Sequence, residues 1–226
     1  MKKVFLTILF ICSFIYPHPA ESGTYSFEVF LGEQFNLPTP LTIKQEGEET
    51  IEIHSARYDS EAWTGLNSPY YAWRVGRWDK GRAWEIELVH EKIILKDPPE
   101  EVQDFEISHG YNLITINRAW RLPEYHDLIW RAGAGIVLTH PETTVRDEKR
   151  GYGESFPDGF YISGPTAQLA LGKRINIWRG LFGVLEVKLT ASYAMRVPIA
   201  DGHAEVPNVA FHYLFGLGYE IGSGSD

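Results

Sequence analysis

The sequence is almost without cysteine, has no long apolar run and is poor in basic charge. Its one cysteine is Cys12, and Leu9, Phe10 and Ile11 before it include no small residue of the kind a lipoprotein cleavage site needs. Everything after it is cysteine-free. Disulfide scaffolds and thiolate metal sites are thereby excluded, and a secreted fold would have to be closed by backbone pairing. No stretch reaches the roughly 18 apolar residues of a membrane-spanning helix. Lysine and arginine total 21 against 30 aspartates and glutamates, a net charge of −9, which argues against a nucleic-acid partner. Internal repeats and low-complexity tracts are missing as well.

What is present begins with Met1-Lys2-Lys3, an apolar run from Val4 to Tyr16 and then Pro17-His-Pro-Ala20. This is the charged start, short greasy middle and small-residue exit of a secretory signal peptide. Residues 1–20 are expected to be that signal, cut near Ala20, and 21–226 one domain. Loss of Lys2 and Lys3 leaves 19 basic residues against 30 acidic ones, a net charge of −11. The 21 glycines and 14% aromatic residues favour an all-β fold.

The most informative stretch is Pro207 to Ile221. Val209, Phe211, Tyr213, Phe215, Leu217, Tyr219 and Ile221 alternate with Ala210, His212, Gly216, Gly218 and Glu220, and only Leu214 breaks the pattern. An extended chain puts the two sets on opposite faces. So long and two-faced a strand suits a transmembrane barrel, apolar toward lipid and small or polar toward the lumen.

The same alternation recurs upstream. Residues 23–35 place Tyr25, Phe27, Val29 and Leu31 opposite Ser26, Glu28, Gly32 and Gln34, with Phe30 out of step. Further strands are read at 70–78, 84–91, 106–120, 128–139, around 168–172, at 185–193 and at 207–221. Short turns fall at 79–82, 123–127 and 176–180. Long polar connections fall at 36–68, 93–105, 140–161 and 195–206, and Leu41-Thr-Ile43 and Ile51-Glu-Ile53 are expected to pair within the first. Eight strands joined alternately by long and short connections predict an antiparallel up-and-down transmembrane β-barrel of the bacterial outer membrane, with short periplasmic turns and long extracellular loops.

A soluble lipocalin-type barrel would also meander, but it keeps its apolar face inside. Here the polar face carries Glu28, Arg74, Glu85, Glu87, Arg131, Glu186, Lys188 and His212. That is too much charge for a dry ligand cavity, and it suits a lumen of compensating ion pairs. Trp84, Trp130, Tyr193 and Tyr219 lie near strand ends, where an interfacial girdle requires aromatic rings. Eight strands leave an interior that side chains just fill, which makes a diffusion pore a poor reading.

The outer rim concentrates polar chemistry. His90 and Lys92 leave one strand upward, Ser108, His109 and Asn112 enter the next, and His140 ends the one after. Pairing about a tip near Pro98-Pro99 would set His90 almost across from His109. His90, His109 and His140, with Glu91 and Glu106 close in sequence, could hold a divalent metal ion or act as general acid and base. Rim histidines are also ordinary polar residues at a water boundary. Strict alternation turns His90 and His109 toward lipid unless a bulge intervenes.

Asn67-Ser-Pro-Tyr-Tyr-Ala-Trp-Arg74, Glu87-Leu-Val-His-Glu-Lys92 and Phe105-Glu-Ile-Ser-His-Gly-Tyr-Asn-Leu-Ile-Thr-Ile-Asn117 resemble successive blocks of the Gram-negative outer-membrane barrels typified by lipid A oxidase. The resemblance implies oxygen-dependent oxidation of the proximal glucosamine of lipid A to an aminogluconate at the outer leaflet. It implies His90, Lys92, His109 and Asn112 as binding or catalytic residues, lipopolysaccharide as the partner lipid, and insertion by the barrel-assembly machinery. A lipid A deacylase would instead need a serine with His and an acid. Ser108 adjoins His109, yet neighbours on a strand point to opposite faces. A structural or adhesive barrel, its acidic first loop binding cations or a surface partner, is the non-enzymatic alternative.

Overall fold

A computed structural model describes residues 23–60, 69–126, 128–153 and 158–222, so the expected signal segment 1–20 lies outside the described residues. The strands are β1 (Thr24–Asn36), β2 (Thr39–Gln45), β3 (Ile51–Asp59), β4 (Tyr71–Asp79), β5 (Arg82–Lys96), β6 (Val102–Leu122), β7 (Leu128–Thr139), β8 (Glu142–Val145), β9 (Glu148–Arg150), β10 (Tyr161–Trp178), β11 (Leu181–Ile199) and β12 (Gly202–Ile221). A 3₁₀ turn, Pro123–Tyr125, joins β6 to β7.

Eight of these strands close on themselves. Antiparallel pairing runs β1-β4-β5-β6-β7-β10-β11-β12 and returns to β1 through Tyr25↔Ile221 to Asn36↔Ala210. Closure matters because an open sheet edge cannot be satisfied in hydrocarbon. Two of the three short turns are two-residue loops, Lys80-Gly81 (φ 46° and 75°) and Arg179-Gly180 (φ 36° and 84°). Positive φ at both central residues is the mirror-image turn whose twist matches antiparallel strands.

The outer face is apolar and the inner face is not. Phe211, Tyr213, Phe215, Leu217, Tyr219 and Ile221 are exposed, as are Tyr25, Phe27, Val29 and Leu31, whereas Arg131 and Glu186 are buried. Trp84, Trp130, Tyr193 and Tyr219 all face outward. The two residues out of step, Phe30 and Leu214, point inward and are buried. Phe30 lies under the guanidinium of Arg74, 4.9 Å from ring centre to Cζ. A water-soluble barrel would invert this arrangement, so the belt of exposed apolar residues is a lipid-facing surface.

The long connections differ from the sequence expectation. β5 runs on to Lys96 and β6 begins at Val102, while β11 and β12 extend to a turn at residues 200–201. Ile93, Leu95, Val102, Phe105, Ile107, Val197, Ile199, Ala204 and Val206 point inward into one apolar cluster. Burying them carries the pairing beyond the membrane, and interleaved charged residues hide this in the sequence. The pairing expected within the first connection is present as Leu41↔Ile53 and Ile43↔Ile51. β2 joins β12, β3 joins the end of β5, and the β8-β9 hairpin joins the start of β6. Together they form an extracellular extension of the wall.

Candidate functional site

The lumen is a stack of three layers. At the middle, Arg74 bonds Glu28 (2.9 Å), Glu87 (2.9 Å) and Glu186 (2.6 Å), and Arg131 bonds Glu85 (2.8 Å) and Glu186 (2.9 Å). Lys188 pairs with Glu87, and Arg174 with Glu28 and Glu220. Gln168 and Asn117 donate to the second oxygen of Glu87 at 2.6 and 2.9 Å. Small inner-wall residues make room: a Cβ on Gly133 would lie 1.7 Å from Asn117 Oδ1. Sequence reading found the network's main members but missed Arg174, Asn117 and Gln168. Arg174 supplies the fourth cation against Glu28, Glu85, Glu87 and Glu186.

His212 sits beside this network and not within it. Its Nδ1 meets Tyr70 Oη and its Nε2 meets Thr190 Oγ1, both at 2.9 Å. Glu91 also points into the lumen, 3.6 Å from His212 Nε2. It therefore does not join the rim, because odd-numbered β5 residues face inward.

The layers above and below are less polar. Above, Tyr70, Tyr111, Val89, Leu113 and Val137 belong to the apolar cluster. Below, Arg174 lies over Trp78 (4.6 Å) and Phe182 (4.3 Å), and Trp78 donates to Ser26 at 3.0 Å. Among the described residues, ion pairs and packed apolar side chains fill these levels of the lumen, as the narrow interior of eight strands leads one to expect.

The rim cluster belongs to the outer face. Leu31↔Tyr71, Tyr71↔His90, His90↔Asn112, Asn112↔Leu138 and Leu138↔Ile162 form one continuous cross-strand row. His90 and Asn112 are therefore a polar pair set in a lipid-facing row. Their bond is direct, His90 Nδ1 to Asn112 Oδ1 at 2.8 Å, and Asn112 Nδ2 donates to Leu138 O at 3.2 Å. Tyr71 stacks on the His90 ring at 4.6 Å and 14° and covers it. Among the described residues His90 Nε2 has no hydrogen-bond partner. Lys92 follows on the same face, its carbonyl accepting from Gln34 Nε2 at 2.7 Å.

His109 is not across from His90 as the sequence suggested. The register shifts between Glu91↔Tyr111 and Ile93↔Ile107, a bulge centred on His109 and Gly110. Gly110 has φ 128°, and a Cβ there would lie 2.3 Å from Asn112 Nδ2. The bulge swings His109 toward β8, 3.4 Å from Glu142, with its ring 5.0 Å from that of His140. His140 in turn packs edge-on against Phe160 at 4.7 Å.

The metal trio expected from His90, His109 and His140 is therefore not gathered. His90 is committed to Asn112, His140 is packed against rings, and no group of three His, Cys, Asp or Glu among the described residues is placed to hold an ion. Ser108 donates to Glu142 at 3.2 Å, so the bulge brings Ser108 and His109 to one carboxylate despite strand alternation. Tyr71, Gly110 and Glu142 were not singled out from sequence. The sequence signal for the bulge is Gly110 itself, inside an otherwise alternating strand.

Above the rim, a roof ties the extensions together. Arg146 donates to Gln45 Oε1 (2.9 Å) and Glu49 O (2.8 Å), joining the β8-β9 turn to the β2-β3 turn. Lys44 bonds Glu205 at 2.6 Å, and with Tyr193 holds its carboxyl below the usual range. Partial burial, then the hydrogen bond to Asp104, pushes Tyr152 up to about 12.

No protein-family model matches the sequence, and no curated protein does. Solved structures with a similar outline include the outer membrane protein AlkL in lipid bilayers, at 11% identity over 93% of this chain and 97% of that one, TM-score 0.47. Neisserial surface protein A follows at 7% identity over 89% and 99%, TM-score 0.42. Ail, the attachment invasion locus protein of Yersinia pestis, is similar at 10% identity over 89% and 100%, TM-score 0.40. On its own closed pairing, apolar belt and ion-paired lumen, the chain is an eight-stranded antiparallel transmembrane β-barrel of the outer-membrane type.

Proposed function

We propose that this barrel modifies lipid A at the outer leaflet, as a lipid A oxidase does, with the His90 face as its working surface. One observation carries the reading: a bonded imidazole and carboxamide interrupt a lipid-facing row at the extracellular edge of the belt. An unneeded polar pair is costly where hydrocarbon begins. Asn112 and Tyr71 hold and cover the ring, and the buried, unpartnered Nε2 of His90 would take or give a proton at a sugar hydroxyl once the Tyr71 ring swings aside. Lys92, on the same face, suits the anionic headgroup. In the reaction, a proximal glucosamine with a free anomeric hydroxyl would lose its C1–H and O1–H hydrogens with two electrons to dioxygen, giving hydrogen peroxide and a lactone that water opens to the aminogluconate.

Two other readings differ in outcome. A deacylase is disfavoured because Ser108 gives its hydrogen bond to Glu142 and not to His109. A non-enzymatic adhesive barrel would use the extracellular roof held by Arg146. Mass spectrometry of lipid A from cells expressing the wild type, His90→Ala or Asn112→Ala separates them. Oxidation adds about 16 mass units with the wild type alone. Loss of an acyl chain would instead assign deacylation, and unaltered lipid A in every strain would remove the enzymatic reading.

A further inference from the structure

The periplasmic edge of the outer belt carries a row of charge that the lumen and the roof do not explain. There the apolar rows Val75↔Ile86 and Ile86↔Ile116 give way, two residues further along each strand, to Arg77↔Trp84 and Trp84↔Arg118. Two residues along a strand are about 6.7 Å. The step therefore runs from the hydrocarbon boundary to the level of lipid headgroups on the side of the short turns.

This ladder is built. Arg118 lies over the Trp84 ring with Cζ 5.1 Å from its centre. Trp84 is 62% exposed and stands between the two arginines. Arg77 folds toward the start of β1, where a Cβ on Gly23 would lie 3.0 Å from its Nε. Its guanidinium therefore lies at the turn end of β4, on the β1 side of the strand. Arg82 follows one row further out, beside the stacked Trp120 and Trp130 (4.3 Å). Among the described residues Arg77, Arg82 and Arg118 have no carboxylate partner, in a chain of net charge −9 whose lumen arginines are all paired.

We infer that Arg77, Trp84 and Arg118 form a binding site for an anionic phospholipid of the periplasmic leaflet, the guanidinia holding its phosphate and the indole its glycerol and upper acyl region. Guanidinium donors match a phosphate oxygen pair, and a cation already resting on an indole is partly stripped of water. A basic side chain near an anionic surface is worth about fivefold in binding. This site lies at the opposite end of the barrel from the His90 face and is independent of the proposed activity.

The test uses the whole barrel in nanodiscs of phosphatidylcholine with a minor share of phosphatidylglycerol, and native mass spectrometry counts the lipids retained on release. The wild type is expected to retain phosphatidylglycerol preferentially. Arg77→Gln/Arg118→Gln should lose that preference at about fivefold per arginine, while Arg57→Gln/Arg196→Gln at the extracellular end keeps it. Because the ladder has no carboxylate partner among the described residues, the variant should fold, and Arg77→Lys/Arg118→Lys, retaining charge without the planar fork, should keep part of the preference. Equal phosphatidylglycerol retention by the wild type and the glutamine variant would overturn the site, as would an equal loss in the extracellular variant.

Discussion

Gly110 and Asn112 are so close that any side chain at residue 110 would push the Asn112 amide aside: a Cβ would stand 2.3 Å from Asn112 Nδ2, on a backbone at φ 128° that L residues rarely adopt. The bulge and the bond from Asn112 to His90 are therefore one structure. Gly110→Val is expected to destabilise the barrel by about 1–3 kcal/mol, the cost of forcing such a conformation, and to release His90 from Asn112. Urea unfolding from lipid vesicles measures the first effect and the imidazole NMR shift of His90 the second. A variant with wild-type stability and an unchanged His90 signal would show that the bulge is not needed.

The lumen makes a larger prediction. Arg74 is the shared partner of Glu28, Glu87 and Glu186, all fully buried. Arg74→Met removes the cation they share, leaving Glu28 chiefly Arg174, Glu87 only Lys188 and Glu186 chiefly Arg131, and should cost about 3–5 kcal/mol. Lys92→Met, whose ammonium has no ion pair among the described residues, should cost under about 0.5 kcal/mol. Unfolding midpoints with a common slope would give both values. Equal small losses would mean that the central network contributes little.

The roof responds to pH with a defined sign. Lys44 and Tyr193 hold the Glu205 carboxyl below the usual range, so its folded-state pKa is lower than its unfolded one. The tie between β2 and β12 is then complete above the unfolded value and is lost as pH falls through the folded one. A carboxyl NMR titration should place Glu205 below its ordinary 4.5, and Lys44→Met should move it back up. An unmoved titration would mean that the pair does not persist in solution.

Much of this architecture is legible from residue order because a barrel strand writes its two faces as alternate residues. The alternation marks β7 at its observed limits, 128–139, and short apolar alternations at 41–43 and 51–53 show the pairing of Leu41 with Ile53. The extracellular strand extensions were hidden, since Pro198 and Asp201-Gly202 resemble a loop although Ile199 pairs directly with Gly202. At the rim, residue types were legible and their register was not. One bulge at Gly110 replaced the expected His90–His109 pair with His90–Asn112, and no spacing rule reveals which of two neighbouring residues a bulge will turn. Arg174 is hidden because the strand reads clearly only as far as residue 172, whereas β10 runs on to Trp178, and the adjacent Lys173 masks the alternation that Ile175 and Ile177 resume.

The central claim is that one row of each strand faces hydrocarbon and the other a sealed, charged lumen. With Cys12, the single cysteine of the sequence, replaced by serine, residues 209–221 can be exchanged one at a time for spin-labelled cysteine, and collision rates with oxygen and with a polar nickel chelate compared. Labels at Phe211, Tyr213, Phe215 and Leu217 should meet oxygen and not nickel, while labels at Ala210, His212 and Leu214 should meet neither. Oxygen accessibility without a period of two, or highest at the even positions, would contradict the account.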